Sequence, residues 1–520
     1  MFSLIADPWL PVIDRSGRHR KISPEQLFDN EIVELTWPRA DFQGAAYQLL
    51  IGLLQTLVPP QDEEEWDEIW EQGIEPLRWQ EVVKRITEAF KFSPQKPAFL
   101  QDFATLTVES SAISGLLVDA PGGNTLKLNK DHFIKRSAYQ QFCPHCTAMA
   151  LYTVQTNSPA AGVGYRTSMR GGGPMTTLLV PKKPDEALWR KLWLNVTPSR
   201  EIWQKEQLPL IFPWLAPARS SETPKNIVTP ENAHPLQAWW GMPRRIEIDF
   251  SQTVAGECDL CGETHPHLLT HIRSKNYGVQ YDTWMHPVTP YRRATKDPSA
   301  PMIPLKGQPG GLAYKDWLGL VVDAEDKLNS TFPAKVVAMN PLPKLTNLWC
   351  FGYDMDNAKA RCWYEHRLPL STLPKAHQDE LKNLLQQALE LAASSLPLLR
   401  YALKEAWFAT PKEAKGDFSF VDTAFWQQTE ADFSALWQTL NQFPSAELPQ
   451  ARDALRLWHI AVRDYLFNTF DKQVLTNPDE VADLARILKA RRALKNNFLK
   501  QKSLNVLLQL TREHKEKQDV

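Results

Sequence analysis

The chain has 520 residues, enough for two to four domains with a large buried core. Its 59 basic and 60 acidic side chains nearly cancel, which excludes a general electrostatic attraction to nucleic acid and leaves only local basic patches for such binding. Six cysteines in this length argue against a disulfide framework, and the first residues lack the basic region of a signal peptide. Since no apolar run reaches about 18 residues, we expect a cytoplasmic protein without a membrane span.

The first third of the chain starts with short strands and turns. Strand candidates are Leu4–Ile5, Trp9–Val12 and Ile32–Leu35, and a mostly buried helix is expected over residues 40–57. The acidic run Asp62–Glu71, which also carries two tryptophans, is expected to form a solvated helix face.

The middle of the chain mixes both element types. Residues 100–182 are rich in glycine, threonine and short apolar pieces, which predicts strands and functional loops. Residues 183–240 predict helical pieces broken by prolines, and residues 244–350 predict strands alternating with loops.

The spacing of apolar residues predicts that the C-terminal part is helical. From about Leu373 onward apolar residues recur at helical spacing, and Asn477-Pro478 followed by two acids is a good helix start. Four long amphipathic helices with short connections predict a four-helix bundle, with candidates at 375–408, 422–443, 447–474 and 478–513. The expected fold class is α+β, with a mixed α/β domain over 1–370 and the bundle over 371–520.

Two Cys-x-x-Cys motifs lie far apart in the sequence, and their members are Cys143, Cys146, Cys258 and Cys261. Four thiolates complete the tetrahedral shell of a structural zinc ion and leave no open position for a catalytic water. A thioredoxin-like redox motif would explain one pair but not both. Another alternative is that a histidine after the second motif replaces one ligand, the candidates being His265, His267 and His271.

Three segments suit nucleic-acid binding, each with a plainer alternative. Glycines in 162–173 let a backbone approach a ligand, and Arg166 and Arg170 in it can meet phosphates, unless this is an ordinary glycine-rich turn. Residues 129–136 place cations around an aromatic, which suits phosphate contact and base stacking or an exposed loop. A basic helix near the C-terminus can follow a nucleic-acid backbone or form a solvated face; its cations are Lys489, Arg491, Arg492 and Lys495.

No sequence pattern of a catalytic site is convincing. A Gly-x-Ser-x-Gly elbow, a His-Glu-x-x-His helix and a Walker A loop are all missing from the sequence. This favours a recognition subunit over an enzyme. The alternatives are a zinc-stabilised nuclease that uses the histidines beside the second Cys-x-x-Cys motif, and a bundle-based scaffold without a DNA role.

Several motifs in a fixed order carry a resemblance to a known family. They are the opening Leu4–Val12, Cys143–Leu151, Met169–Thr177, Trp284–Pro287 and Gly352-Tyr353. With the second Cys-x-x-Cys motif and the helical C-terminus, they make nearly the whole chain similar to the CasA family, the large subunits of type I-E CRISPR Cascade complexes.

The resemblance implies a non-catalytic subunit in antiviral defence. Such a subunit recognises the protospacer-adjacent motif (PAM) in target double-stranded DNA from the minor groove, promotes duplex opening and R-loop formation, and recruits the helicase-nuclease. The implied partners are the backbone, small and guide-end-capping Cascade subunits and the CRISPR RNA. Zinc is bound in some family members.

The resemblance also assigns site residues. The family's glycine loop falls on Gly162, Val163 and Gly164, with valine at one glycine position; its lysine finger falls on Lys275, nine residues before Trp284. The strand-splitting wedge, a glutamine in the family, falls on Asn357. The aromatic of the first flexible loop matches Phe133, whose basic neighbours include Lys130 and Arg136.

Overall fold

The structure is a computed structural model. It describes residues 2–121, 127–128, 137–159, 164–201, 203–223, 225–308, 310–325, 329–356, 359–414, 416, 418–475 and 483–512. In these ranges no helix combines the length and the apolar character that crossing a lipid bilayer requires.

Strands occupy the N-terminal two thirds of the described chain. In chain order, β1 to β19 are Phe2–Ser3, Leu10–Asp14, His19–Ile22, Ile32–Leu35, Lys91–Phe92, Ser110–Ala112, Thr176–Pro181, Ile227–Val228, Arg245–Ile248, Thr253–Glu257, Thr264–Leu269, His271–Lys275, Gln280–Tyr281, Tyr291–Ala294, Ile303–Pro304, Ala324–Glu325, Asn329–Phe332, Thr346–Asp356 and Lys359–Pro369.

Helices are short in the N-terminal part and long at the C-terminus. In chain order, α1 to α14 are Ala40–Leu57, Glu63–Gln72, Pro76–Lys84, Pro144–Asn157, Leu188–Trp193, Leu208–Ile211, Trp317–Leu320, Lys335–Ala338, Lys375–Trp407, Ser419–Gln428, Glu430–Gln442, Pro449–Leu475, Leu484–Leu499 and Lys502–Leu510.

The chain forms two compact units. One contains Met1–Gln308 and Glu325–Arg367, and the other contains Pro309–Ala324 and Leu368–Val520. The first mixes small sheets with helices and the second is mainly helical, so the α+β fold class with a helical C-terminal region is confirmed.

Buried aromatic rings form the centre of the first unit. Phe90, Phe99, Phe212, Trp214 and Trp240 are almost fully buried, and neighbouring ring centroids lie 5.3–6.3 Å apart, mostly edge to face. Such contacts add free energy beyond the burial of apolar area. Most tryptophans of the chain are likewise buried, so they contribute mainly to core packing.

The small sheets of the first unit position the segments that matter for the site. One sheet has the strand order β6-β12-β9, a second has the order β19-β18-β7, and β10 and β11 form a separate hairpin. The pairs β6–β12, β12–β9, β18–β7 and β10–β11 are antiparallel, and the chain runs from the β10–β11 hairpin through Thr270 directly into β12.

The second unit is a helical bundle closed by a segment from earlier in the chain. The long helix α9 packs against α11, α12, α13 and α14. Tyr314 lies in this bundle, with its ring stacked on Phe433 at 4.3 Å and its hydroxyl 2.8 Å from the hydroxyl of Thr429. Trp458 closes the cluster edge-on.

The structure confirms several predicted elements and corrects others. Helix α1 has the predicted bounds, and the exposed acids of α2 form the solvated face, while its Trp66 is buried. The strand expected at Leu4–Ile5 lies instead at Phe2–Ser3, because Ser3 and Asp7 close a turn there. The predicted helix 422–443 is two helices that meet at Thr429.

Helix α4 is the largest element that the sequence did not predict. It lies within residues 100–182, for which only strands and loops were expected. Eleven of its fourteen residues are buried, so it lacks the polar stripe by which an amphipathic helix is recognised. The start signal expected at Asn477-Pro478 lies outside the described residues.

Acid should destabilise the first unit through His286. This histidine is buried against the Trp239 ring, and burial, with a smaller contribution from Arg170, holds its pKa well below the usual value. An unfolded histidine takes up a proton near pH 6.5, so stability is complete above that pH and is lost below it. Between pH 7.5 and 5.5 the native protein should lose about 1 kcal/mol more unfolding free energy in urea than His286→Gln. Equal losses in both proteins would contradict this assignment.

Candidate metal centre and candidate nucleic-acid interface

The four cysteines of the Cys-x-x-Cys motifs meet in one cluster. Their sulfur atoms all lie within 4.8 Å of one another, and the Sγ atoms of Cys143 and Cys261 are 3.8 Å apart. Tetrahedral coordination with a metal–sulfur distance of about 2.3 Å places two sulfurs about 3.8 Å apart. Three of the thiols are buried and Cys261 is partly exposed. The donor set therefore fits a metal ion with four thiolate ligands.

Each motif is built by local backbone rules. Cys143 caps the N-terminus of α4, where its sulfur accepts from the amide of Cys146 at 3.4 Å and Pro144 takes the first helical position. The other two cysteines lie in the turn between β10 and β11. There Cys258 pairs with Glu263 through a 2.9 Å backbone hydrogen bond.

Hydrogen bonds hold the two motifs together independently of any metal. The amide of Cys143 donates to the sulfur of Cys258 at 3.2 Å, and Phe142 and Leu269 exchange two backbone hydrogen bonds. The carboxylate of Asp259 accepts from the amide of Gln141 at 2.9 Å. The segment before α4 is thus fixed to the β10–β11 hairpin.

Contacts among the thiols shift their acidity in opposite directions. Hydrogen bonds from Cys143 and Cys146 put the pKa of Cys258 far below its usual value, while hydrogen bonds to the other thiols and burial put that of Cys146 far above it. Thiolates packed this closely repel one another, so a cation at their centre favours their deprotonated forms.

The histidine alternative for a ligand has no geometric support in the described residues. Their only possible metal-holding group near this hairpin consists of the four cysteines. His265 and His267 lie on β11 with their rings 6.4 Å apart, and the Nδ1 of His265 accepts from the amide of His267. Nδ1 of His271 lies 2.9 Å from the hydroxyl of Thr270.

The predicted lysine finger is the first residue of the bend from Lys275 to Gly278, which we call the lysine turn. Lys275 ends β12 directly opposite Arg245 on β9. The two cations face each other, and the carboxylate of Glu222 lies 3.4 Å from Nζ of Lys275 and 3.9 Å from Arg245. Lys275 and Glu222 are each more than a third exposed, so this ion pair is weak and can open.

The structure brings Gly164, the described part of the glycine loop, into contact with the lysine turn. The carbonyl of Gly164 accepts from the amide of Gly278 at 3.1 Å. Gly164 has a φ of +77°, and a Cβ there would lie 2.6 Å from the Tyr277 nitrogen, so only glycine fits. Gly162 and Val163 lie outside the described residues.

The wedge candidate follows β18 in the sequence. Asn357 lies between β18 and β19, outside the described residues. The two strands are joined by a bidentate ion pair between Asp354 and Arg361, at 2.7 and 3.1 Å. The hydroxyl of Tyr353 donates to the buried carboxylate of Asp41 at 2.6 Å, which fixes β18 to α1.

Of the remaining predicted DNA contacts, the structure describes those of the C-terminal basic helix and not those of the loop around Phe133. Lys130, Phe133 and Arg136 lie outside the described residues. In the C-terminal basic helix, Arg491 forms a bidentate ion pair with Asp471 at 2.6 and 2.8 Å and lies over the Phe467 ring. The exposed cations of that helix face are Lys489, Arg492 and Lys495.

Arg170 does not face a ligand. It is 3% exposed, and it donates to Thr289, Gln48, Thr176 and the Met175 carbonyl. Burial lowers its pKa to about 10. The phosphate role considered for this arginine is therefore wrong, and its guanidinium fixes the glycine-rich segment to the core.

A family model described as CRISPR-associated protein Cse1 matches residues 3–469. The fold is similar to that of Thermus thermophilus CasA (Cse1), with 17% identity, a TM-score of 0.61 and coverage of 96% of this chain and 99% of that one. Thermobifida fusca Cse1 is 15% identical with a TM-score of 0.65, and the match covers 98% of this chain and 99% of that one. A chain of a CRISPR RNA-guided surveillance complex is 13% identical with a TM-score of 0.64, and that match covers 96% of this chain and 99% of the other. These identities are low, so the structural likeness shows the fold alone. The family match takes in most of the sequence, and the chain therefore belongs to the CRISPR-associated protein Cse1 family.

Proposed function

We propose that this chain is the large subunit of a type I-E Cascade complex and recognises the PAM in target double-stranded DNA through the minor groove. The observation that carries the proposal is the contact between Gly164 and the lysine turn, which puts a close-approach glycine beside a partly exposed lysine. A similar fold in a chain of a CRISPR RNA-guided surveillance complex supports the assembly.

The chemistry of the lysine turn suits the minor groove. The Lys275 ammonium donates hydrogen bonds, and the groove offers acceptors in a pattern that hardly separates A·T from T·A. Recognition of this kind is permissive and of modest affinity. Lys275 has to leave Glu222 to make these contacts, which lowers the gain further.

Duplex opening is the step that follows PAM recognition. The β18–β19 hairpin, whose stem is fixed to α1 through Tyr353, would present Asn357 as the strand-separating residue. Separating stacked base pairs costs a few kcal/mol per step, and guide pairing nearly balances the lost duplex, so protein contacts decide whether opening proceeds.

Zinc is the metal that we assign to the cysteine cluster. Cys143, Cys146, Cys258 and Cys261 would hold it, and four thiolates give a closed, structural shell. The ion would brace the hairpin that continues into β12 and so the base of the lysine turn.

The proposed role is recognition without catalysis. The chain would work with the backbone, small and guide-end-capping subunits and the CRISPR RNA, and would recruit the helicase-nuclease that degrades the target. The exposed cations Lys489, Arg492 and Lys495 would follow the opened DNA, while Phe133, Lys130 and Arg136 would lie near the PAM.

Lys275→Ala tests this function in the assembled complex. Binding of duplexes with an intact PAM should weaken about 5- to 100-fold, and the preference for an intact over a scrambled PAM should shrink, because a groove donor is lost. The measurement is equilibrium binding with and without this chain. Lys315→Ala in the second unit is the matched control and should leave binding unchanged.

Two results would contradict the proposal. Binding that is the same with and without this chain, on both PAM types, would remove the recognition role. Metal-dependent cleavage of DNA by the isolated chain would favour the zinc-stabilised nuclease instead.

A further inference from the structure

Tyr277 is an exposed aromatic residue in the lysine turn. Tyr277 lies two residues after Lys275 and is 39% exposed. Its ring lies beside Gly164, where an added Cβ would be 3.1 Å from a ring carbon. One short segment thus presents a cation, an aromatic ring and a bare backbone side by side.

Packing in the described part of the chain does not explain a tyrosine here. Among the described residues the ring has no aromatic or cation–π neighbour, and no hydrogen bond involves its hydroxyl, since the contact from Ser220 is to the backbone carbonyl. Glycine, asparagine or aspartate adopts a positive φ with less strain than tyrosine, so the backbone here does not require an aromatic side chain. An exposed aromatic without partners beside a proposed ligand surface is a candidate contact.

The backbone of Tyr277 is strained and firmly held. Its φ is +61°, which is unfavourable for a bulky residue. The hydroxyl of Ser220 donates to the Tyr277 carbonyl at 2.8 Å, and the amide of Ser221 donates to the carbonyl of Gly278 at 3.1 Å. With the hydrogen bond from Gly278 to Gly164, three hydrogen bonds to two neighbouring segments hold the backbone that carries the ring.

We propose that the Tyr277 ring is a DNA-contacting group, which packs in the minor groove of the PAM duplex against sugars and base edges beside Lys275. This inference rests on the proposed function. Proteins of the minor groove commonly place apolar groups there, and contacts to sugars add affinity without reading sequence. Tyr277 would therefore supply affinity, while Lys275 supplies the PAM preference.

Tyr277→Gly and Tyr277→Phe separate the ring from the backbone. Glycine accepts a φ of +61° without strain, so Tyr277→Gly keeps the turn and removes the ring. In the assembled complex it should weaken binding about tenfold on intact and single-substituted PAM duplexes alike, so that the ratio between them is unchanged. Tyr277→Phe keeps the ring and should bind within about twofold of the native complex.

Lys275→Ala measured in parallel distinguishes the possible failures. If Lys275→Ala weakens binding and Tyr277→Gly does not, the ring contact is wrong and the proposed function stands. If neither variant changes binding, the proposed function fails too. If Tyr277→Phe binds as weakly as Tyr277→Gly, or if Tyr277→Gly lowers the melting temperature while binding DNA normally, packing of the ring in the groove is overturned.

Discussion

Replacing Cys258 with serine should remove the bound metal and destabilise the first unit. The change takes one of four clustered thiolates and also the sulfur that accepts from the amide of Cys143. A ligand present at about 1,000 times its dissociation constant stabilises the native state by about 4 kcal/mol, and this contribution disappears with the site. The measurements are zinc content by mass spectrometry and the thermal unfolding temperature, with and without a chelator.

Cys362→Ser is the matched control for this experiment. Cys362 is exposed on β19, so the same chemical change there should leave zinc content and unfolding temperature as in the native protein. A native chain that holds about one zinc and a Cys258→Ser chain that holds none would be the expected pair of results. If the native chain takes up no zinc, or if both variants unfold alike, the cluster is not a stabilising metal site.

Gly278→Ala should displace the lysine turn. A Cβ at this position would lie 1.8 Å from the carbonyl oxygen of Pro243, and a backbone atom cannot rotate away as a side chain can. We expect a loss of about 1–3 kcal/mol in unfolding free energy. Binding of PAM-containing duplexes should fall at least as far as with Lys275→Ala, because Lys275 and Gly164 lose their common position.

Gly115→Ala provides the comparison. Its added Cβ would lie 3.4 Å from the Cδ1 of Ile272, which is an ordinary contact distance. Ile272 lies on β12, the strand that ends at Lys275. That variant should unfold and bind DNA as the native protein does. A Gly278→Ala complex with native affinity and PAM preference would show that the position of the lysine turn does not matter for recognition.

The sequence predicted the elements whose apolar pattern is one-sided or continuous. Helix α1 is a long apolar run and the C-terminal part repeats with a helical period, so both were predicted as helical. The predicted helices 422–443 and 478–513 were wrong in extent, because each corresponds to two helices in the described residues. Helix α4 was missed because it is buried on nearly all sides, although Cys143 as a cap and Pro144 at the first position were available signals. The break falls at Thr429, whose hydroxyl meets that of Tyr314 from a distant segment, a contact with no local sequence signal.

The sequence motifs of the candidate site could be predicted, but the residues that surround Lys275 in space could not. The cysteine cluster follows from ligand type and spacing. Glu222 carries no local signal, since parallel pairing of Ile227 with Gln280 brings its segment to the lysine turn. Tyr277 had a weak signal, because it precedes a glycine next to the matched Lys275.

The segment that carries Tyr314 affects how the protein can fold during synthesis. This segment leaves the ribosome before residues 325–367, which complete the first unit. Its packing partners, such as Phe433, are translated only after those residues. Domains generally fold as they emerge, N-terminal parts first. The first unit therefore completes its fold from two parts of the chain that are separated in sequence by a stretch of the other unit, and the face of Tyr314 that packs on Phe433 remains in water until the bundle is translated.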